Sequence, residues 1–374
     1  MDKKKLLIVG GGKLGRQILQ ILAPRNVFIF YVASRELDHA VRTCNLIRQG
    51  CLQMGVSCVL HPVALELGAS QIDENAAVIA RIRPDIILNC ASLHSWRWLR
   101  DLPAPLYAAL GEAQLGPWLP MHLAPAYDLM RAVVSSRVKA LTVNAAYPDV
   151  VNVVLDKVGL APDVGVGNVA NLIPAMRLAI ARLALCDSQQ VQVKLAAQHF
   201  LSHQLTRVGM PLQSHYRLAY RIGGKDCTGA FDDALIFNGV CTHFRSLDDQ
   251  FLTAASAVSV IENLFSLNEA ETHAPGPHGL PGGYPVRIGM GQVLLSLPYG
   301  VSRSDAISVN QQGQRQDGIR EVHADGRVSF ESEQMAIMES LLGYSIQCLH
   351  LTDVHACAAE LGRKYQALVN QSRS

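Results

Sequence analysis

Leu6-Leu7-Ile8-Val9-Gly10-Gly11-Gly12-Lys13-Leu14-Gly15 sets the fold expected for the first part of this chain. Four apolar residues in a row, bounded by glycine, read as a strand buried in a parallel sheet. The strand feeds directly into Gly-x-Gly-x-x-Gly at Gly10, Gly12 and Gly15, and a helical pattern follows, with Leu14, Ile18 and Leu22 on one face until Pro24 ends it. At such a strand-to-helix turn a dinucleotide pyrophosphate can approach the backbone and lie on the helix N-terminus. A dinucleotide site on Gly10, Gly12, Lys13, Leu14 and Gly15 is therefore expected; a lone glycine-rich turn is the competing explanation.

The choice of dinucleotide is read at the end of the next strand, residues 27–32. An acidic residue about twenty positions beyond the glycines suits the ribose 2′-hydroxyl of NAD. This chain has Ser34 and Arg35 there, a hydroxyl and a guanidinium that suit the 2′-phosphate of NADP. Glu36 one position on is the NAD alternative.

At 374 residues, two domains are expected. No apolar run approaches the length of a membrane span, and the basic start Met1–Lys5 leads straight into the first strand, so a soluble cytoplasmic protein is expected. A net charge of +2 without a basic stripe argues against nucleic acid. The nine cysteines form no Cys-x-x-Cys pair, and Cys44, Cys51 and Cys58, seven apart, read as small buried hydrophobes rather than metal ligands. No metal site is expected.

Strand and helix alternate over the first 145 residues, with strands near 56–60, 85–90 and 139–144 and helices near 36–55, 72–81 and 123–134. This predicts an α/β, Rossmann-type doubly wound parallel sheet. From residue 146 the texture becomes mixed α+β, the mark of a substrate and dimerisation domain. Strands are expected at 190–199 and 216–222 and a helix at 254–265. Residues 275–285, rich in proline and glycine, are expected to lack regular structure. A hairpin at 320–330 turns through Asp325-Gly326. Two closing helices, 333–342 and 354–369, are placed back against the first domain.

The glycine turn with Ser34-Arg35, the strand at 85–90, the segment Val143-Asn144-Ala145-Ala146-Tyr147-Pro148-Asp149-Val150-Val151-Asn152 and the stretch Gly279-Leu280-Pro281-Gly282-Gly283-Tyr284-Pro285-Val286 together resemble the saccharopine dehydrogenase-like oxidoreductases. The resemblance covers the nucleotide domain well and the second domain loosely. It implies a Rossmann domain, an inserted α/β domain, and hydride chemistry at an amino-acid-derived imine or carbonyl.

The chemistry of a doubly wound sheet sits outside the carboxyl ends of its strands. Ala91 and Ser92, small residues after the fourth strand, are expected to line the cofactor, and His94 the substrate; Trp96 and Trp98 line the cleft or cover the core. After the fifth strand, Asn144 is a candidate to hold a carboxamide, and Tyr147 and Asp149 to supply or orient a proton. Asp149 is equally the cap of a following helix over residues 150–154. His199 and His203, read on one face of a strand with Leu201, Leu205 and Arg207, are candidates for acid/base chemistry, Arg207 clamping a carboxylate. His215 and His278 are weaker candidates. The expectation is an NADP-dependent oxidoreductase, a homodimer acting on a small molecule. A non-catalytic NADP(H) sensor and a carbonyl reductase unrelated to amino acids are the alternatives.

Overall fold

The computed structural model describes residues 3–94, 99, 102–207, 209–211, 213–244 and 250–373, with the side chains of residues 206, 207, 241–244 and 373 outside the description. The first sheet holds β1 (Lys4–Val9), β2 (Phe28–Ser34), β3 (Val59–Ala64), β4 (Ile86–Asn89), β5 (Leu141–Asn144) and β6 (Val164–Gly165). Its order is β3-β2-β1-β4-β5-β6, and every pairing is parallel. This is the Rossmann order, with its switch point between β1 and β4.

Alternation along β1 explains why both faces are covered. Leu6 and Ile8 join a core with α1 (Lys13–Leu22) and α2 (Leu37–Gln53), whereas Leu7 and Val9 face α3 (Ile72–Ile82) and α5 (Leu119–Ser136), the latter preceded by α4 (Ala104–Gly111). Cys44 and Cys51 are buried in the first of these cores, as is Cys58 just before β3. Beyond β5 come α6 (Pro148–Asp156) and then β6, so the parallel sheet takes in residues past 145. The two-residue β6 is too short to show a strand pattern in sequence.

The second sheet is antiparallel. It contains β7 (Val191–Ala197), β8 (Tyr216–Ile222), β9 (Lys225–Asp226), β10 (Ala270–Pro275), β11 (Gly283–Gly289) and β12 (Gln292–Leu295), in the order β10-β11-β7-β8-β9 with β12 on β11. Around it lie α7 (Val169–Ala184), α8 (His199–Arg207), α9 (Asp233–Phe244), α10 (Gln250–Leu264) and α11 (Arg303–Gln316). Helix α10 packs on α1 and buries Val258 and Ile261 in the core of the first sheet. The last part of the chain forms a small sheet, β13 (Ile319–Val322), β14 (Val328–Phe330) and β15 (Cys348–Leu349), with α12 (Ser332–Leu342) and α13 (Val354–Arg373). Helix α13 lies against α5.

Two expectations are corrected here. His199 and His203 lie on α8 rather than on a strand, because β7 stops at Ala197. Residues 283–289 form β11 despite Pro285, whose carbonyl still accepts from Ser296 N (2.9 Å). Among the described residues, no helix is long and apolar enough to cross a membrane.

Candidate active site

A cleft of about 980 Å³ opens at the carboxyl ends of β1, β2, β4 and β5, lined at one end by the glycine turn and at the other by α8. The glycines divide by what a side chain would meet. Gly10 has φ +106°, and a Cβ there would press on the Cys90–Ala91 backbone 2.8 Å away. A Cβ on Gly15 would strike the Gly10 carbonyl. Both are therefore required by the fold itself. Gly12 is different: a Cβ there meets no protein atom within 4 Å, and Gly12 lines the cleft at the N-cap of α1, where no side chain caps the helix. The free space and the uncapped N–H groups fit a pyrophosphate. Lys13 and Leu14 line the cleft beside it, and Ala91 and Ser92 line it after β4; Gly15 supports the turn from below.

Ser34 and Arg35 line the same end of the cleft, together with His39. His39 Nδ1 sits 3.4 Å from Ser34 Oγ, and the missing side chain of Gly11 leaves room for its ring. His94 lines the cleft near them: burial first, then the Arg35 charge, lower its pKa. Its electrostatic neighbour thus belongs to the glycine-turn end. Glu36 also lines this end and stands at the N-cap of α2.

At the opposite end three segments converge on one carboxylate. Asp317, fully buried at the C-cap of α11, accepts through Oδ2 from Tyr147 OH (2.6 Å) and Gln198 Nε2 (3.0 Å), and lies 3.2 Å from His199 Nδ1. Its Oδ1 accepts from Leu115 N (3.3 Å). Burial alone would raise Asp317 and lower His199. Their mutual attraction outweighs it, so the carboxyl is held below its usual range and the imidazole above its own. His203 stacks on His199, rings 5.9 Å apart, and its Nδ1 meets Gln114 Oε1 at 2.8 Å. His122, from α5, meets the edge of Tyr147. Its pKa is pushed down to about 4 by burial and then by His199.

The expected residues do not all reach this cleft. Asn144 is fully buried: Oδ1 accepts from Asn89 Nδ2 (3.0 Å) and Ala146 N (2.9 Å), and Nδ2 donates to Asn152 Oδ1 (2.8 Å). With its amide committed inside the protein, it has nothing left for a carboxamide. Asp149 is also fully buried, accepting from His199 N (3.0 Å) and from Asn168 Nδ2. It lies in the first turn of α6, whose N-cap is Tyr147, and so caps the start of α8 instead of its own helix; burial pushes its pKa up to about 6. Tyr147 lines the cleft, its hydroxyl donates to Asp317, and burial with that carboxylate pushes its pKa far upward. The same bond holds the Asp317 carboxylate in place. The Arg207 side chain, Trp96 and Trp98 lie outside the described residues. His278 bonds the Val293 carbonyl (2.8 Å), and neither it nor His215 lines the cleft. Among the described residues, no three His, Cys, Asp or Glu side chains gather as metal ligands.

Asp317, Gln198, His122, Gln114 and His39 carry no signal in the sequence that marks them as site residues. Asp317-Gly318 reads locally as a helix-ending turn, and nothing near it signals a partner so far back in the chain.

No protein-family model matches the chain, and no curated protein matches it. Solved structures do. The malate dehydrogenase of Cryptosporidium parvum aligns at a TM-score of 0.56 and 14% identity, over 83% of this chain and 96% of that one. The malate dehydrogenase of Aeropyrum pernix gives 0.56 and 14%, over 83% and 97%. The malate dehydrogenase of Plasmodium falciparum, in complex with NADH, gives 0.53 and 11%, over 84% and 96%. Identity this low shows a shared fold, and the resemblance to saccharopine dehydrogenases rests on the sequence motifs alone.

Proposed function

We propose that the protein is a nicotinamide-dependent oxidoreductase, preferring NADP(H), that interconverts a carbonyl and an alcohol on a small polar substrate. The observation that carries this reading is His199 held on buried Asp317 in the cleft that begins at the glycine turn. Solved structures of like fold include malate and lactate dehydrogenases, which favours the same class of reaction. The turn at Gly10–Gly15 would hold the pyrophosphate, Ala91 and Ser92 the neighbouring ribose, and Ser34, Arg35 and His39 a 2′-phosphate.

When bound, the cofactor supplies or accepts a hydride. In the reducing direction the carbonyl carbon gains that hydride and the carbonyl oxygen gains one proton. Carbonyl compound, NADPH and a proton thus become alcohol and NADP⁺. With Nδ1 committed to Asp317, His199 offers Nε2 to the substrate oxygen as the proton donor, and takes the proton back in the reverse direction. Asp317 fixes the tautomer and stabilises the imidazolium; Tyr147 and Gln198 fix Asp317. The saccharopine-type resemblance would extend the chemistry to an amino-acid-derived imine, an extension the structural neighbours do not strengthen.

His199→Gln tests the reading. Turnover should fall by about two to four decades with NADPH affinity within about threefold of wild type. A variant that turns over at the wild-type rate, or a folded wild type that binds NADPH and reduces no carbonyl, contradicts it.

A further inference from the structure

Three histidines meet at the Asp317 end of the cleft, and the proposed chemistry uses one of them. His122 meets the edge of Tyr147 with ring centres 6.0 Å apart, Tyr147 meets His199 at 5.8 Å, and His203 stacks on His199 at 5.9 Å. All four side chains line the cleft.

His122 sits in a run of buried apolar residues, Met121, Leu123 and Ala124, and is itself only 8% exposed. Among the described residues, its Nδ1 is sealed from solvent and meets no hydrogen-bond partner. An apolar side chain would serve packing better at that place, since a buried polar group without a partner weakens the fold. With no acceptor at Nδ1, the neutral ring keeps its proton on Nε2, the nitrogen left to face the cleft. The two rings on Tyr147 also differ in charge. Burial, then the charge of His199, push the pKa of His122 down to about 4. Burial works the same way on His199, but attraction to Asp317 outweighs it and holds that ring above its usual value. Near neutral pH one end of the cleft thus presents an imidazolium and a neutral imidazole, a division that separates an acid from a hydrogen-bonding partner.

We propose that His122 is a specificity-determining residue, whose Nε2–H binds a second oxygen of the substrate, carried beside the carbonyl that His199 protonates. Both imidazoles pack on the ring of Tyr147, which fixes their spacing. A hydroxyl, oxo or carboxyl oxygen can accept this bond. The proposal rests on the oxidoreductase reading above.

Three matched pairs form the test panel: hydroxyacetone with butanone, glycolaldehyde with propanal, and pyruvate with 3-methylbutan-2-one, the second of each lacking the extra oxygen. NADPH oxidation by the full chain is followed for each. In at least one pair the oxygenated member should lead in kcat/KM by about tenfold or more. His122→Phe, which keeps a ring against Tyr147, should cut that lead roughly 3- to 10-fold, the worth of one neutral hydrogen bond, through a higher KM for the oxygenated member. His122→Gln places an amide N–H near the Nε2 position and should restore most of the lead. His122→Asn, too short to reach it, should not, and these two variants carry the test if the Phe variant fails to fold. No lead in any pair, a lead that His122→Phe leaves intact, or one that Asn keeps as well as Gln would overturn the inference while the oxidoreductase reading stands. Reduction of no carbonyl by a protein that binds NADPH would overturn both.

Discussion

His199 would lose its proton readily if burial acted alone, and Asp317 reverses that balance. Reduction needs the protonated ring, so the alkaline limb of kcat/KM should lie above the ordinary histidine pKa of about 6.5. In Asp317→Asn the attraction is gone and burial remains, so the limb should move to lower pH and turnover should fall at least about tenfold; an unmoved limb in a pH–rate series would show that Asp317 does not govern the proton. Tyr147 adds a second support. Its φ of +46° is rare for a bulky residue, and such a conformation costs on the order of 1–3 kcal/mol. The hydroxyl bond to Asp317 and burial against His122 hold it there. Tyr147→Phe should lower kcat more than it weakens NADPH binding, and calorimetry beside steady-state kinetics separates the two.

Among the elements, the glycine turn and α8 show how local and long-range information divide. The turn is legible because strand, glycines and helix are contiguous in sequence, and each glycine has a physical reason at its own position. Gly12→Val should abolish dinucleotide binding in a folded protein, since its side chain enters free cleft space; tight NADPH binding by this variant would place the phosphates elsewhere. Arg35→Asp should shift preference from NADPH toward NADH by about one to two decades, the worth of a charge-assisted contact. A wild type already favouring NADH in titration would refute the Ser34–Arg35–His39 assignment. Helix α8 reads as strand because alternation through residues 191–195 continues smoothly into it. Its start is set by Asp149 accepting from His199 N and by Gln198 Oε1 accepting from Phe200 N (2.6 Å), and the first of these partners comes from α6.

Across the whole molecule, buried amides tie the two sheets together behind the cleft. Asn89, Asn144 and Asn152 form a chain that ends on the Gly276 carbonyl (2.9 Å), linking β4, β5 and α6 to the loop after β10. Asn144→Ala would strand several of these groups and should cost about 2–4 kcal/mol of stability, read from denaturant unfolding, with the active site altered only indirectly. Sequence patterns revealed the parallel sheet and most helices, because burial on a sheet imposes periodicity on contiguous residues. They did not reveal the carboxylate: Asp317 reaches the site through its bonds to the backbone of Leu115 and to Tyr147, which only the folded chain brings near. The central claim is that this assembly moves a proton in concert with hydride transfer to a carbonyl carbon. NADPH deuterated at the reactive C4 position, incubated with the carbonyl panel, tests it most directly. Deuterium should appear on the carbinol carbon of the product with wild type, and at a rate at least about a hundredfold lower with His199→Gln. Absence of label with every carbonyl, or equal labelling rates in the two proteins, would contradict the account.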